Sequence, residues 1–431
     1  MLRLSTRDPG FAKAFARLVS DRRDSGENIA RDVSVILSDV RNRGDASVAE
    51  LTARYDSYAL ASETDWWIGA EACREAFDEL KPDLRAALEL AAQRIRAFHE
   101  TQRPKNRDTT DEAGVRMGAI WRPVDAAGLY VPGGRAAYPS SLLMNAIPAK
   151  VAGVERLAVV TPTPKGAVNP LVLAAAHLAG VSEVWRIGGA QALGALAYGT
   201  QRIKPVDVIV GPGNAWVAEA KRQLYGVVGI DMVAGPSEIL LIADGQNDPE
   251  WTAADLLSQA EHDPAAQSIL ITDDPLFADM VADRIGVELA MLPTARVANE
   301  SWNTHGTIIE VASLDEAPAL ANALAAEHVQ IATADPEALL RKIRHAGSVF
   351  LGRMTPEAVG DYIAGPNHVL PTGRRARFSS GLSVLDFMKR TSIQRISKEG
   401  FRHLAHAAET LARAEGLPAH GLSVSIRRGE G

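Results

Sequence analysis

The sequence predicts an α/β protein with two domains, each built on a largely parallel sheet. Short β-branched runs alternate with alanine-rich helical stretches from Gly128 onwards, and strands that alternate with helices favour parallel pairing. The runs fall into two sets on either side of Ala234-Gly235-Pro236, the best candidate for the boundary between the domains. A chain of 431 residues, 46% of them apolar, is long enough for two or three domains, since one domain takes about 150 residues.

Each set contains short runs rich in valine, isoleucine and leucine, which is typical of strands. The first set comprises residues 157–160, 183–187 and 206–210, and the second comprises residues 238–243, 268–271, 307–311 and 348–351. We therefore expect a first α/β domain over residues 128–235 and a second one over residues 236–380.

The two ends of the chain are predicted to be mainly helical. Over residues 84–98 apolar side chains recur at spacings of three and four, which gives a helix one apolar face. We expect residues 1–127 to form a helical region that packs partly on the second domain. Residues 381–431 are expected to form a small C-terminal extension, which is helical and ends in a short alternating run at residues 422–426.

Composition and charge exclude several classes of function. The net charge of -7 is spread over interleaved signs, as in Glu261-His262-Asp263, so we expect no nucleic-acid partner. No apolar run approaches the roughly 20 residues that span a bilayer, and Met1-Leu2-Arg3 leads straight into charged sequence. We therefore expect a cytoplasmic enzyme without a membrane partner. Because Cys73 is the single cysteine, any metal must bind to nitrogen and oxygen ligands.

Two glycine-rich turns follow strand candidates of the first domain. Gly211-Pro212-Gly213-Asn214-Ala215-Trp216 is the nearest match to the dinucleotide-binding fingerprint, but Trp216 replaces the third glycine, which permits close helix–strand packing. Asp231 lies at about the distance at which the fingerprint places its ribose-binding acid. The second turn is Gly188-Gly189-Ala190-Gln191. Both turns fit a plain strand-to-helix connection as well as a phosphate-binding site.

Gln259 and His262 end a helical stretch that begins near Trp251. Residues three apart on a helix project from the same face, so the two side chains can share one ion. Imidazole nitrogen with an amide oxygen suits zinc or manganese, provided that carboxylates or histidines arrive from elsewhere. Taken alone, the pair is more typical of a solvated helix end than of a metal site.

Three further clusters place acids beside histidines. Glu327-His328 lies where a helical stretch meets the strand-like residues 329–331, and it offers a base beside a carboxylate. The loop from Asp361 to His368 and the segment from Glu415 to His420 each put an acid and an imidazole around glycine and proline. Each cluster alone is also typical of a surface loop or of a histidine that caps a helix.

Taken together, these motifs resemble the histidinol dehydrogenase family in order and spacing across nearly the whole chain. The motifs that carry the resemblance are Val131-Pro132-Gly133-Gly134, Gly188-Gly189-Ala190-Gln191, Gly211-Pro212-Gly213-Asn214-Ala215, Ala234-Gly235-Pro236-Ser237, Ser258-Gln259-Ala260-Glu261-His262, Ala326-Glu327-His328, Gly360-Asp361-Tyr362, Asn367-His368-Val369-Leu370-Pro371-Thr372 and Ser397-Lys398-Glu399-Gly400-Phe401. The ordered series is highly specific, although its single members are not.

The resemblance implies a fold and a set of site residues. The fold has two incomplete Rossmann-like domains, which agrees with the two strand sets and the broken glycine fingerprint. The implied ligands of one zinc ion per subunit are Gln259, His262, Asp361 and His420, the implied NAD contacts are Tyr130, Gln191 and Asn214, and the implied substrate contacts are Ser237, His328, Glu415 and the zinc ligands. The family is a homodimer, and the resemblance implies that His420 and Glu415 act in the partner's site.

The family reaction oxidises L-histidinol through L-histidinal to L-histidine, the last step of histidine biosynthesis, with two NAD and one water. Because Cys73 has no activating neighbour in the sequence, we expect water to attack the aldehyde. We expect His328 to be the general base and Glu327 to activate that water, while zinc orients the substrate. Glu415 suits the cationic end of histidinol.

Two alternatives remain open at this point. One is another zinc- and NAD-dependent dehydrogenase on the same scaffold, acting on an alcohol such as a sulfonated diol. Its anionic substrate calls for arginine or lysine, whereas this sequence offers Glu415 and Asp361. The other is a non-catalytic regulator that binds a nucleotide or a metal.

Overall fold

Two six-stranded sheets lie in the larger of two compact units of the chain. The computed structural model describes residues 1–21, 27–133 and 138–428, so Gly134 of the motif at Val131 lies outside the described residues. Unit 1 comprises Met1–Gln102 and Val124–Phe387, and unit 2 comprises Arg103–Pro123 and Met388–Gly431.

The strands of the described residues are numbered along the chain. They are β1 (Leu2–Ser5), β2 (Trp67–Ile68), β3 (Arg107–Thr110), β4 (Val115–Pro123), β5 (Ala126–Tyr130), β6 (Arg156–Val160), β7 (Glu183–Trp185), β8 (Val208–Val210), β9 (Gly229–Ile230), β10 (Glu238–Ala243), β11 (Gln267–Thr272), β12 (Thr307–Glu310), β13 (His328–Ala332), β14 (Ser348–Leu351) and β15 (Met388–Ile396).

The α-helices are numbered in the same way. They are α1 (Phe11–Ser20), α2 (Glu27–Arg43), α3 (Asp45–Asp56), α4 (Glu63–Trp66), α5 (Ala70–Asp78), α6 (Pro82–Glu100), α7 (Pro139–Ala152), α8 (Pro170–Ala179), α9 (Gly189–Tyr198), α10 (Ala215–Leu224), α11 (Pro249–Ala260), α12 (Pro275–Leu289), α13 (Ala295–His305), α14 (Ala317–Leu324), α15 (Pro336–Leu340), α16 (Glu357–Tyr362), α17 (Lys398–Ala414) and α18 (Pro418–Ser425). No helix of the described residues is long and apolar enough to cross a membrane.

The first sheet of unit 1 has the strand order β2-β7-β6-β5-β8-β9. Its strands pair in parallel, except that the short edge strand β2 is antiparallel to β7. The chain runs outwards from β5 to β6 and β7 on one side, and to β8 and β9 on the other. The connections therefore diverge between β5 and β8, which is the point where open α/β sheets bind ligands.

The second sheet of unit 1 has the order β1-β12-β11-β10-β13-β14, and all of its strands are parallel. Its central strand β10 is buried on both faces. Ile239 and Leu241 belong to one apolar cluster, whereas Leu240 and Ile242 belong to another on the opposite face. Burial on both faces explains why this strand is a continuous apolar run instead of an alternating one.

These two sheets confirm the predicted fold class, and several elements differ from the sequence prediction. Leu2–Ser5 is a strand of the second sheet, although residues 1–127 were expected to form a helical region. The strand β5 was not predicted because its five residues include two alanines and a glycine. Gly128 lies in a close approach, since a Cβ there would be 2.8 Å from Leu196 Cδ1 of α9.

Unit 2 contains an antiparallel sheet of order β15-β4-β3 and the helices α17 and α18. The strand β15 lies in a segment expected to be helical, and the alternating run at residues 422–426 belongs to helical structure. Pro418 occupies the first turn of α18, and Gly421 approaches Ala412 of α17. A proline start and a helix–helix contact thus override a period of two that extends over only five residues.

Candidate active site

His328 is the first residue of β13 and is 3% exposed. Its Nδ1 lies 3.0 Å from Oε1 of Gln259 and 3.1 Å from the carbonyl oxygen of Glu238. Both neighbours are oxygen acceptors, so Nδ1 carries the proton and donates it to them, which leaves a lone pair on Nε2. This Nε2 atom has no hydrogen-bond partner among the described residues. Burial lowers the pKa of His328 to about 4, so the ring is a neutral base.

Glu327 precedes β13 and is 5% exposed. Its Oε2 accepts a hydrogen bond of 2.9 Å from the backbone N–H of Glu238, and it lies 3.8 Å from Nδ1 of His328. Burial raises the pKa of Glu327 well above its ordinary value. The ionised carboxylate is therefore a stronger base than an exposed one, which suits a group that removes a proton from water.

Two more carboxylates face His328 from α16. Glu357 Oε1 lies 3.7 Å from Nδ1, and Asp361 Oδ1 lies 3.8 Å from Nε2. Glu357 was not predicted from the sequence, although its spacing of four from Asp361 places both on one helix face. Burial raises the pKa of both carboxyl groups, and for Asp361 the charge of Glu357 acts in the same direction.

The donor atoms of His328, Glu357 and Asp361 all lie within 4.8 Å of one another, so they form a group that could hold a metal ion. Gln259 is fully buried in the last turn of α11, and its Nε2 lies 3.3 Å from Nδ1 of His262. The proposed ligands Gln259, His262 and Asp361 thus surround one histidine. Buried carboxylates with raised pKa values are stabilised by a nearby cation, so the residues present fit a divalent ion with nitrogen and oxygen ligands.

Local backbone geometry directs these side chains. The helix α14 ends with Ala325 in the left-handed conformation (φ 45°), and the chain then enters β13 through Glu327. Gly360 allows α16 to lie against Phe350 of β14, because a Cβ there would be 2.3 Å from Cε1 of that ring. A larger residue at position 360 would push the helix, and with it Asp361, away from His328.

The start of β10 forms the floor of the site. Ser237, a predicted substrate contact, is half-buried directly before this strand. Glu238 contacts both catalytic candidates through its backbone, and its side chain forms a buried ion pair of 3.0 Å with Arg374. Arg374 also donates to Oε1 of Gln267, the first residue of β11. The buried pair therefore fixes the strand end that holds Glu327 and His328.

The three predicted NAD contacts lie at the carboxyl ends of strands in the first sheet, whereas His328 lies at the amino end of its strand. Tyr130 is the last residue of β5, and its hydroxyl accepts a hydrogen bond of 3.2 Å from the N–H of Gly189. Burial raises the pKa of Tyr130 to about 12, so the hydroxyl is protonated. Gln191 lies 2% exposed in the first turn of α9, and Asn214 is the exposed N-cap of α10.

Asp231 does not act as the ribose-binding acid that its position in the sequence suggests. Its side chain is 1% exposed. Oδ1 forms an ion pair of 2.6 Å with Nζ of Lys221, and Oδ2 accepts from the N–H of Gly211 at 2.8 Å. Both oxygens are therefore engaged by protein atoms at the base of the glycine turn.

His368 joins the two edges. Its Nε2 lies 3.3 Å from the hydroxyl of Ser141, in the first turn of α7, which follows β5. Its Nδ1 lies 2.9 Å from the carbonyl oxygen of Asp361. The first turn of α7 and the cluster around His328 are thus connected through one imidazole.

Glu415 and His420 lie in unit 2, whereas all other predicted site residues lie in unit 1. Glu415 follows α17 and His420 is in α18, and both are exposed in one groove with Leu411 and Leu417. Cys73 is buried in α5, and burial raises the pKa of its thiol to about 11. A thiol that holds its proton so tightly is a poor nucleophile.

A glycine turn at the carboxyl edge of one parallel sheet and a buried histidine base among carboxylates in the other define an enzyme class. The combination is that of a nucleotide-dependent oxidoreductase with a separate acid–base centre. The family model described as histidinol dehydrogenase matches residues 19–428.

Similar proteins agree with this class over the full chain. Histidinol dehydrogenase of Zymomonas mobilis is 61% identical over 99% of both chains, and that of Rhodospirillum rubrum is 58% identical over 100% of this chain and 99% of the relative. The crystal structure of histidinol dehydrogenase from Elizabethkingia anophelis has a TM-score of 0.93 and 34% identity, covering 100% of this chain and 98% of that one. The chain belongs to the histidinol dehydrogenase family, which is NAD-dependent and acts in histidine biosynthesis.

Proposed function

We propose that the chain oxidises L-histidinol through L-histidinal to L-histidine at the cluster around His328, with two NAD and one water. The observation that carries this proposal is the hydrogen bonding of His328, since Nδ1 donates to two oxygens and Nε2 remains a free base. As a biosynthetic enzyme it would act in the cytoplasm.

The two oxidations need different proton transfers. In the first, His328 Nε2 takes the hydroxyl proton of histidinol while a hydride leaves the carbinol carbon for NAD. Water then adds to the aldehyde. Glu327 takes a proton from that water while the protonated His328 returns its proton to the aldehyde oxygen, which gives the hydrate and leaves His328 free to act as a base again. In the second oxidation, His328 takes the hydroxyl proton of the hydrate as the second hydride leaves. Two hydrides and one water account for the change from alcohol to carboxylate.

The proposed metal ligands are Gln259, His262 and Asp361 of one subunit and His420 of its partner. These residues would hold a zinc ion, which when bound would supply a Lewis-acidic centre for the nitrogen donors of the substrate. Manganese would suit the same nitrogen and oxygen donors. Ser237, half-buried beside β10, and Glu415, with its carboxylate, would bind the polar end of histidinol.

The proposed dinucleotide contacts are Tyr130, Gln191 and Asn214. Their support is their place at the carboxyl edge of the first sheet, next to the point where the connections diverge. That edge is the usual nucleotide site of open parallel sheets, because helix N-termini and loop N–H groups converge there.

We propose a homodimer in which Glu415 and His420 of the partner subunit complete each site. Unit 2 supports this proposal, because it exposes leucines beside these two residues. The exposed fraction is 63% for Leu411, 42% for Leu417 and 59% for Leu422. Apolar side chains grouped around polar ones are typical of protein–protein interfaces.

Two substitutions test the division of labour. His328→Ala should slow both oxidations by about 10²- to 10⁴-fold, which is the usual contribution of a general base. Glu327→Gln should still convert histidinol to histidinal but fail to form histidine. Product analysis after a single turnover separates the two steps. Glu310→Gln, at the other end of a strand in the same sheet, is the matched control and should keep both activities.

Unaltered histidine production by Glu327→Gln would overturn the role of that residue. Metal dependence is a separate measurement, in which a chelator should abolish NADH formation with histidinol and added zinc should restore it. Turnover that persists without metal would contradict the proposed metal site, whatever the result for Glu327.

A further inference from the structure

A buried ion pair supports the glycine turn of the first sheet from below. Lys221 of α10 is 2% exposed and Asp231 is 1% exposed, and Nζ lies 2.6 Å from Oδ1. The pair links a helix to the segment that follows β9. Neither residue belongs to the active site described above, and neither side chain is accessible to a substrate.

Both members of the pair also bond to the same glycine. The carboxylate of Asp231 accepts from the N–H of Gly211 at 2.8 Å, and the ammonium of Lys221 donates to the carbonyl oxygen of Gly211. Gly211 has φ 114°, and a Cβ there would lie 2.2 Å from the carbonyl oxygen of Tyr130. The pair thus holds both polar backbone groups of a residue that is pressed against the end of β5.

The turn is fixed at its other end by Asn214. The side-chain oxygen of Asn214 accepts hydrogen bonds from the backbone N–H groups of Trp216 and Val217, at 3.1 and 3.2 Å. Residues 211–214 are therefore held at the first glycine by the ion pair and at the last residue by a helix cap. Without the ion pair, the cap would anchor only one end of the turn.

Stability alone does not account for a pair of this kind. Taking two charges out of water costs roughly what their attraction returns, and apolar residues of similar size often stabilise as well. An apolar pair could not bond to the N–H and the carbonyl oxygen of Gly211 at the same time. What the charged pair adds is a defined position for the turn.

We infer that Lys221 and Asp231 are positioning residues for the dinucleotide, holding the turn of residues 211–214 in the shape that binds NAD. This inference rests on the proposed NAD site at Tyr130, Gln191 and Asn214. It assigns Asp231 a role behind the turn instead of at the ribose.

The test is the double substitution Lys221→Met with Asp231→Asn, which removes both charges and leaves no unpaired one. The Kd for NADH, measured by fluorescence titration, and the KM for NAD should rise together by about ten- to a hundredfold, the usual effect of a misplaced binding group. The kcat at saturating NAD, the KM for histidinol and the zinc content should stay within about twofold of the wild type, because the substrate and metal sites lie on the other sheet.

A milder double substitution, Lys221→Gln with Asp231→Asn, keeps a donor and an acceptor in place. It should raise the Kd for NADH by only a few-fold, and it keeps the test open if the first variant does not fold. The control is Arg156→Met with Glu183→Gln, an ion pair of 2.7 Å at the amino ends of β6 and β7 in the same sheet. This control should lower the thermal midpoint without changing the Kd for NADH.

Two results would overturn the inference. One is a folded Lys221/Asp231 double variant with an unchanged Kd for NADH, and the other is an equal loss of NADH binding in the Arg156/Glu183 control. Failure of the proposed NAD site itself is distinguished by Asn214→Asp, which keeps the cap oxygen but removes the amide donor. If Asn214→Asp raises the Kd for NADH and the Lys221/Asp231 double variants do not, the proposed NAD site stands and only the positioning role fails.

Discussion

The candidate site residues of the two sheets in unit 1 lie at opposite ends of the strands: the carboxyl ends in the first sheet and the amino ends in the second. In the first sheet, the candidate cofactor residues lie where strands end, at Tyr130 after β5 and in the turns after β7 and β8. In the second sheet, the candidate catalytic residues Glu327 and His328 lie where β13 begins, and the backbone of Glu238 at the start of β10 contacts both of them. The strands β7-β6-β5-β8-β9 follow the same order as β12-β11-β10-β13-β14, yet the candidate site residues lie at different ends of these strands.

The two edges offer different chemical groups to a ligand. The carboxyl edge offers helix N-termini and loop N–H groups, which suit an anionic dinucleotide. The amino edge of the second sheet offers buried side chains with a fixed tautomer and raised carboxyl pKa values, which suit proton transfer. His368 connects the two edges through Ser141 and Asp361. Hydride transfer requires the substrate and the dinucleotide to lie side by side, because the donor and acceptor carbons must come into contact.

The largest effect is expected from a substitution at the proposed metal site, beside the amino ends of strands in the second sheet. Asp361→Asn should lower the zinc content and reduce kcat/KM for histidinol by at least about a hundredfold, because a proposed ligand and its charge are lost. The Kd for NADH should not change. Metal analysis and fluorescence titration check the two halves, with the exposed Asp279→Asn as the control. If Asp361→Asn raised the Kd for NADH by the same factor by which it lowered kcat/KM, the proposed metal and NAD sites would not be separate.

A smaller effect is expected from the carboxyl edge. Gln191→Leu keeps the side-chain volume but removes the amide, so the KM for NAD should rise about tenfold, equivalent to about 1.4 kcal/mol. The zinc content and the KM for histidinol should be unchanged. Steady-state kinetics with each substrate varied in turn gives both values. Gln223→Leu, on the neighbouring helix α10, is the control, and a loss of zinc in Gln191→Leu would contradict the assignment.

Mixed dimers test whether the amino edge is completed by a second subunit. His420→Ala and His328→Ala chains are each expected to be inactive alone. After random pairing, half of the dimers are hybrids with one intact site of two, so about a quarter of the wild-type activity should return. A rate assay after co-expression measures this recovery. No recovery, with hybrid dimers demonstrated by mass, would place His420 in the site of its own chain.

The smallest effect is expected at the junction of the edges. Ser141→Ala removes one hydrogen bond to His368, so the free energy of unfolding should fall by about 1 kcal/mol while each KM stays near the wild-type value. Chemical denaturation and steady-state kinetics provide the two measurements. A change in KM for both substrates without loss of stability would mean that the bridge sets the distance between the edges.

Elements with a strong local signal were predictable from the sequence. The strand β10 matches the predicted boundaries because burial on both faces requires an uninterrupted apolar run. The edge strand β14 also matches, although only Phe350 in it is buried. The strand β5 was not predictable because its small residues reflect the close approach of α9, which is a tertiary property. The strand β15 is mostly exposed, so it carries no apolar pattern.

The candidate site divides in the same way. The motifs indicated Gln259, His262 and Glu327-His328, but not that Gln259 fixes the tautomer of His328 across 69 sequence positions. Glu357 carried only a helical spacing to Asp361, which is common on helix surfaces. Asp231 had the spacing of a ribose ligand, yet burial beside Lys221 gives it protein partners instead. Local pattern identifies candidate residues, whereas their partners depend on contacts between distant segments.

The pairing of β1 with β12 has a consequence for the order in which the second sheet assembles during synthesis. Leu2 pairs with Thr307, so its partner leaves the ribosome about 300 residues later. At the usual synthesis rate of about 5–20 residues per second, that wait is roughly 15 to 60 s. The first sheet, complete by Ile230, has all its strands available before β10 begins. The strand β1 can therefore join its sheet only after β12 has been synthesised, when all strands of the first sheet are already available.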